Sequence, residues 1–221
     1  MPFRVRATFP LLLCACVAAG GCIPYTVGST AVPTAPCETD ITASMFFLPA
    51  GVELRDSSAS LPIYSIDIEG RFGVSARADV GFRFTSLSGA VVTYKRLLRE
   101  PYGDRDWAAA WMVGGGVVNA GLHAHVEGSL LVSGAERGPL TPYGGLRVMQ
   151  VVPINDDAVS DTPTAGAFVG FRIGSRDLGV SPEVSVFWDR SALGVRDSEF
   201  IAVLSVSLHG ERLLRLLSFG R

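Results

Sequence analysis

Charge is sparse in this chain: charged side chains make up 18% of 221 residues, and the formal net charge is −2. That balance excludes the basic footprint of a nucleic-acid binder and the acid-rich composition of a disordered tail. Also missing beyond the N-terminus is any apolar run approaching the roughly 20 residues of a spanning helix, although mean hydropathy is positive at +0.34. No segment of the body keeps a helical period. If the mature chain crosses a bilayer, it must do so as strands. Neither a G-x-S-x-G elbow nor a phosphate-binding loop is present, and the glycine-rich "MVGGGVV" precedes no helix that would receive phosphate. Glycine there suits strand bending or close packing of large neighbours.

What is present begins with "MPFRVRATFPLLLCACVAAGGC", in which Arg4 and Arg6 precede an apolar run and then small residues before Cys22. Residues 1–21 read as a secretory signal and are set apart from the fold. The "AAGGC" end resembles a bacterial lipobox, which implies lipidation of Cys22; the match departs from the pattern at Ala19, where leucine is preferred. Of four cysteines, Cys14 and Cys16 leave with the signal. Cys37 is then either a lone thiol or, after ordinary cleavage, a possible partner of Cys22. The following "IPYTVGSTAVPTAP" is rich in Pro, Thr, Ser and Gly without apolar period, so residues 22–37 are expected to form a lipidated N-terminus and flexible tether.

From residue 38 to 209 the chain falls into short segments of period two, separated by Gly, Asp, Ser and Pro clusters. In "PIYSIDIEGRFGV", Tyr64, Ile66, Ile68, Phe72 and Val74 alternate with Ser65, Asp67, Glu69, Arg71 and Gly73. After the turn "SARA", Val80, Phe82 and Phe84 alternate with Asp79, Gly81 and Arg83, so a hairpin is expected. The same alternation sets Lys95, His123, His125, Glu127, Arg147, Arg172 and Glu183 on the polar faces of later segments. "DWAAAWMVGGGVVNA" lacks a polar face of its own. With "ITASMFFLP" at the front, the count is about ten strands, within a range of 8–12, each near the length that crosses a bilayer when tilted. Residues 210–221, "GERLLRLLSFGR", form either an amphipathic tail at a membrane surface or a final strand.

The expected fold is all-β, an antiparallel up-and-down transmembrane β-barrel. A soluble lipocalin-like barrel would share the alternation with the faces reversed, its apolar side turned inward around a lipid or small molecule. Three features favour the membrane version. The polar face is mostly Ser, Gly and Thr; its charges balance, with Arg71, Arg83, Lys95, Arg147 and Arg172 opposed by Asp67, Glu69, Asp79, Glu127 and Glu183; and aromatics gather on the apolar face near strand ends.

Over residues 38–209 the chain resembles a type of small bacterial outer-membrane barrel protein, through "YSIDIEGRFGVSARADVGFRF" with its G-[LV]-S-x-R-x-D-[VL]-G element, "SGAVVTYKRLL", "TPYGGLRV" and "VSPEVSVFW". The resemblance implies an outer-membrane location, no catalytic residues and no cofactor. The expected function is a non-enzymatic envelope protein, structural or a narrow pore, in contact with membrane lipids and the barrel-assembly machinery, with a small solute or lipid as possible ligand and no nucleic acid. An outer-membrane lipid-modifying enzyme, with His123 or His125 beside a serine, is a more distant expectation.

Two constellations carry chemistry in principle. His123 and His125 stand two apart on one strand face, about 6.8 Å along it, and can share a zinc ion, but Glu127 lies too far to join both and the sequence names no third ligand. Asp67, Glu69, Arg71, Asp79 and Arg83 are brought together by the hairpin. They read more simply as a salt-bridge plug than as a catalytic acid and base.

Overall fold

The computed structural model describes residues 24–53, 60–85, 88–101, 106–154, 163–188, 200–210 and 213. The signal segment, Cys22 and nearly all of the 210–221 tail lie outside the described residues. Ten strands run in chain order: β1 Thr39–Glu53, β2 Ser60–Ser75, β3 Ala78–Thr85, β4 Gly89–Arg99, β5 Trp107–Val118, β6 His123–Gly134, β7 Leu140–Pro153, β8 Thr164–Gly174, β9 Gly179–Trp188 and β10 Phe200–His209. Each pairs antiparallel with its sequence neighbour, and β1 closes on β10 with Ala43 opposite Leu208. Closure leaves no open sheet edge. The expected all-β up-and-down barrel is the observed fold.

The "SARA" turn joins β2 to β3, with Phe72 opposite Val80 and Glu69 opposite Arg83. This register follows from the pleat, because a slip by one residue would turn every charged side chain of the hairpin to the other face. The barrel end that carries Thr39 and His209 is closed by the tight 76–77 turn and by links of moderate length. The opposite end carries the two longest connections, 154–163 and 189–199.

The faces are inverted relative to a water-soluble barrel. Ile66, Phe82, Val126 and Val184 are 59%, 43%, 53% and 46% exposed, whereas Asp67, Arg83 and Glu183 are 2–3% exposed. This corrects the lipocalin-like alternative, which requires the apolar side inside. Aromatics decorate the outer wall: Phe47 stacks on Tyr64 at 4.9 Å, Phe82 meets Phe84 edge-on at 4.7 Å, and Trp188 stands opposite Phe200.

A ten-stranded barrel encloses more space than its own side chains fill. Here residues 24–36 enter that space. Tyr25, Thr26, Val27, Thr30 and Ala31 are buried in the lumen, and the segment leaves at the Thr39 end through a parallel bridge between Pro36 and Gly73. The expected flexible tether is therefore corrected to a lumenal plug. The reason is compositional: "YTVGSTAV" is small, weakly polar and uncharged, so it can be buried provided its backbone groups find partners.

Nor is the lumen polar throughout. Phe46, Leu48, Val91, Val118, Met149, Val151, Phe187, Ile201 and Val203 point inward as an apolar layer toward the end remote from Thr39, and Tyr25 packs among them. A second inward cluster joins Val27 and Ala31 to Ala108, Ala110, Met112, Leu131 and Phe168. This explains why β5 has no polar face: its outer side continues the exposed apolar wall and its inner side meets the plug.

Candidate functional site

The lumenal charges form one connected system around residues 26–34. Its densest part is the β2–β3 hairpin. Arg71 donates to Asp79 Oδ1 from Nε at 3.1 Å and to Glu69 Oε1, while Arg83 donates to Glu69 Oε2 from Nη2 at 2.7 Å. Gly81 makes this possible. A Cβ at that position would lie 2.4 Å from Thr93 Oγ1 and 2.6 Å from Glu69 Oε1, so only glycine leaves room for the cluster. Lys95, the single lysine of the chain, reaches Asp79 Oδ2 at 3.4 Å.

Three of the lumenal cations, Arg83, Arg147 and Lys95, also hold the plug. Arg83 and Arg147 both donate to the Thr26 carbonyl at 3.1 Å. Lys95 Nζ donates to Ser29 Oγ and to the carbonyls of Thr30 and Val32 at 2.9–3.1 Å. Carboxylates take the amides: Asp79 accepts the Thr34 N–H at 2.8 Å, and Glu183 accepts those of Val27 and Gly28 at 3.0 and 2.9 Å. Burying an ion costs several kcal/mol unless it is paired and fully hydrogen-bonded. Here the strands supply the counter-charge and the plug supplies further partners to Arg83, Arg147, Lys95, Asp79 and Glu183. Gly28 has φ +56°, and a Cβ there would meet Ser207 Oγ at 2.6 Å; the left-handed turn is what aims two consecutive N–H groups at one carboxylate.

The balance of charge is not met one to one. Among the described residues Glu183 has no arginine partner; besides the two amides it accepts from Tyr143 Oη at 3.1 Å and Ser185 Oγ at 3.3 Å. Arg172 pairs instead with Glu136 at 3.2 Å, in the β6–β7 turn, where Arg176 also binds at 2.9 Å. Burial acts to raise the Glu136 pKa, but Arg172, the Thr30 hydroxyl and Arg176 outweigh it and hold the carboxyl below its ordinary range. Asp67 is buried in the same lumenal wall. It adds negative charge near Arg83.

His123, His125 and Glu127 all face inward. His125 Nε2 lies 3.0 Å from Glu127 Oε2, and Glu127 is bound by Arg147. His123 instead contacts Asn119 at 3.2 Å, and no group of three metal-binding side chains exists among the described residues. Among the described residues, serine meets histidine where Ser181 lies 3.0 Å from His209, and not at His123 or His125. Both members of the Ser181 and His209 pair are almost fully buried, and no carboxylate among the described residues orients the imidazole, so the arrangement lacks there the third group that activates a serine. Glu69 and Asp79 are likewise saturated by arginine and lysine, which removes them as an acid and base couple.

What sequence reasoning missed is the plug itself, together with Glu136 and Tyr143. A signal was present, since "TVGSTA" contains none of the Lys, Glu or Gln of a solvated linker. Below the plug, a cavity of about 330 Å³ opens at the Thr39 end, lined by Ser29, Pro33, Asp40, Lys95, Arg172 and Asp177 among others.

No protein-family model and no curated protein sequence matches the chain. Among solved structures it is similar to Neisserial surface protein A, at 12% identity and a TM-score of 0.42, covering 78% of this chain and 96% of that one. It is also similar to the outer membrane protein OprG of Pseudomonas aeruginosa, at 11% identity and 0.32, covering 82% and 99%. The N-terminal β-barrel domain of OprF from the same organism follows at 13% and 0.30, covering 78% and 98%.

Proposed function

We propose that the chain is a non-enzymatic outer-membrane β-barrel of a Gram-negative-type bacterium, inserted by the barrel-assembly machinery, with its lumen closed by its own N-terminal segment. The observation that carries this reading is the inversion of faces: a continuous wall of exposed Ile, Val, Leu and Phe around an interior of buried Arg, Glu, Asp and Ser. Such a wall in water would be an aggregation surface; in lipid it is the solvated side. The longer connections lie at the end away from Thr39 and His209, which supports a periplasmic position for the termini of the barrel.

Membrane fractionation, with gel mobility in detergent before and after boiling, tests the reading. The expected result is an outer-membrane protein with heat-modifiable migration; a chain that is soluble without detergent overturns it.

The narrow-pore version is favoured by the charge-lined lumen, and the plug then serves as its stopper. Planar-bilayer recordings separate the two versions. The intact protein is expected to be silent, and deletion of residues 24–36 to give a small conductance. A silent deletion variant would assign closure to the apolar layer around Phe46 and Phe187 and leave the structural role alone.

Lipidation of Cys22 belongs to the same proposal, on the lipobox resemblance of "AAGGC". Intact-mass measurement of the protein extracted from membranes is expected to show the added mass of the acyl chains; an unmodified N-terminus overturns the lipid anchor and leaves the barrel reading untouched.

A further inference from the structure

We propose that the outer wall of β4 and β5, near the Thr39 end of the barrel, binds the phosphate headgroup of an anionic glycerophospholipid between Arg96 and Arg99; this rests on the membrane reading above. Among strand residues whose side chains are described, these two arginines are the only charged groups that face outward. Every other strand arginine, and Lys95, is turned into the lumen and paired there.

Arg96 faces outward by the regular alternation of β4, and Arg99 joins it through a local irregularity. Arg96 stands opposite Trp111, and the β4–β5 register then shifts between Leu97 and Arg99. A bulge places an extra residue on one strand. Leu97 is buried, Leu98 is 56% exposed, and Arg99 follows it outward instead of returning to the lumen. The two guanidinium groups thus share one face, three residues apart on a strand that rises about 3.3 Å per residue. One phosphate group, or two within a single headgroup, can be reached by both.

Among the described residues no carboxylate pairs with them. The nearby carboxylates are engaged elsewhere, Glu100 with Arg77 at 3.2 Å and Asp106 with Arg137 at 3.0 Å. Arg99 instead lies over the Trp107 ring, 3.7 Å from its centroid, and Tyr94 packs on Trp111 at 5.4 Å. Stacking on indole orients a guanidinium without satisfying its N–H donors. An aromatic and arginine pair at the edge of an apolar wall is where headgroup phosphates lie, and Leu98 with Trp111 offers a surface for the adjoining acyl chain.

The chain contains three tryptophans, so Trp188→Phe leaves Trp107 and Trp111 as reporters beside the site. This variant is refolded into phosphatidylcholine vesicles that contain brominated phosphatidylglycerol or, in parallel, brominated phosphatidylcholine at equal mole fraction. The expected result is a preference for the anionic lipid of about fivefold or more, the effect of roughly one arginine at a charged lipid surface. That preference is lost at high salt and in Arg96→Gln/Arg99→Gln. Equal quenching by the two brominated lipids overturns the proposal. No quenching by either one overturns the membrane reading instead. If the double variant does not refold, the headgroup comparison in the Trp188→Phe barrel decides alone.

Discussion

Glu183, on the ninth strand, accepts the backbone N–H of Gly28 at 2.9 Å across 155 residues of sequence. Its other oxygen accepts from Val27 at 3.0 Å, so a single carboxylate fixes the plug at the point where its backbone turns. Glu183→Ala leaves two buried amides and the Tyr143 hydroxyl without an acceptor. Unpartnered buried groups of this kind cost about 1–3 kcal/mol each when no water replaces the partner. The expected outcome is a lower unfolding temperature on heat-modifiability gels. In a variant already lacking residues 24–36 the same substitution should cost much less, because the amides it serves are gone. An equal loss in both backgrounds would show that Glu183 supports the wall and not the plug.

Arg147 tests the charge network from the other side. It binds Glu127 and also donates to the Thr26 carbonyl, and it is 1% exposed. Arg147→Ala strands a buried carboxylate, with an expected loss of about 3–5 kcal/mol. Adding Glu127→Gln removes the stranded charge and should recover a large part of that loss. The check is urea-induced unfolding in detergent, comparing the double variant with the sum of the singles.

Much of this fold is legible from period-two alternation because the pleat leaves no freedom: once Ile66 and Ile68 face outward, Asp67 and Glu69 must face the lumen. The "DVG" end of the hairpin motif follows from the same inward packing, since Arg71 binds Asp79 and leaves no room for a Cβ at Gly81. Residues 24–36 carry no such signature. Their structure is imposed by the barrel, through carbonyls and amides that every sequence possesses, so the pairing of Glu183 with a backbone turn and of Lys95 with the Thr30 and Val32 carbonyls has no side-chain pattern to announce it. Glu136 was obscured by its place in a turn. Its partners Arg172 and Arg176 sit in β8 and the link after it, and only closure of the barrel end brings them near.

Leu130 probes the outer wall. It lies in the middle of the sixth strand, 54% exposed, opposite Trp111 on one side and Leu146 on the other. In a soluble barrel so exposed a position would accept arginine within about 0.5 kcal/mol. In a bilayer, Leu130→Arg should destabilise by about 2–4 kcal/mol, the cost of a guanidinium near the midplane. Equilibrium folding into phosphatidylcholine vesicles measures the difference.

Glu136 gives the plug a pH limit. Its carboxyl is held below the ordinary range by Arg172, the Thr30 hydroxyl and Arg176, against the opposing effect of burial. A carboxylate with a depressed folded-state pKa contributes stability that is fully present above the unfolded value, about 4.3, and is lost as pH falls through the folded value. The Thr30 contact should therefore persist at pH 5 and weaken only in stronger acid. Protease protection of residues 24–36, followed from pH 7 to pH 3, is expected to fall at the acid end in the parent protein. In Glu136→Gln that acid-dependent component should be absent.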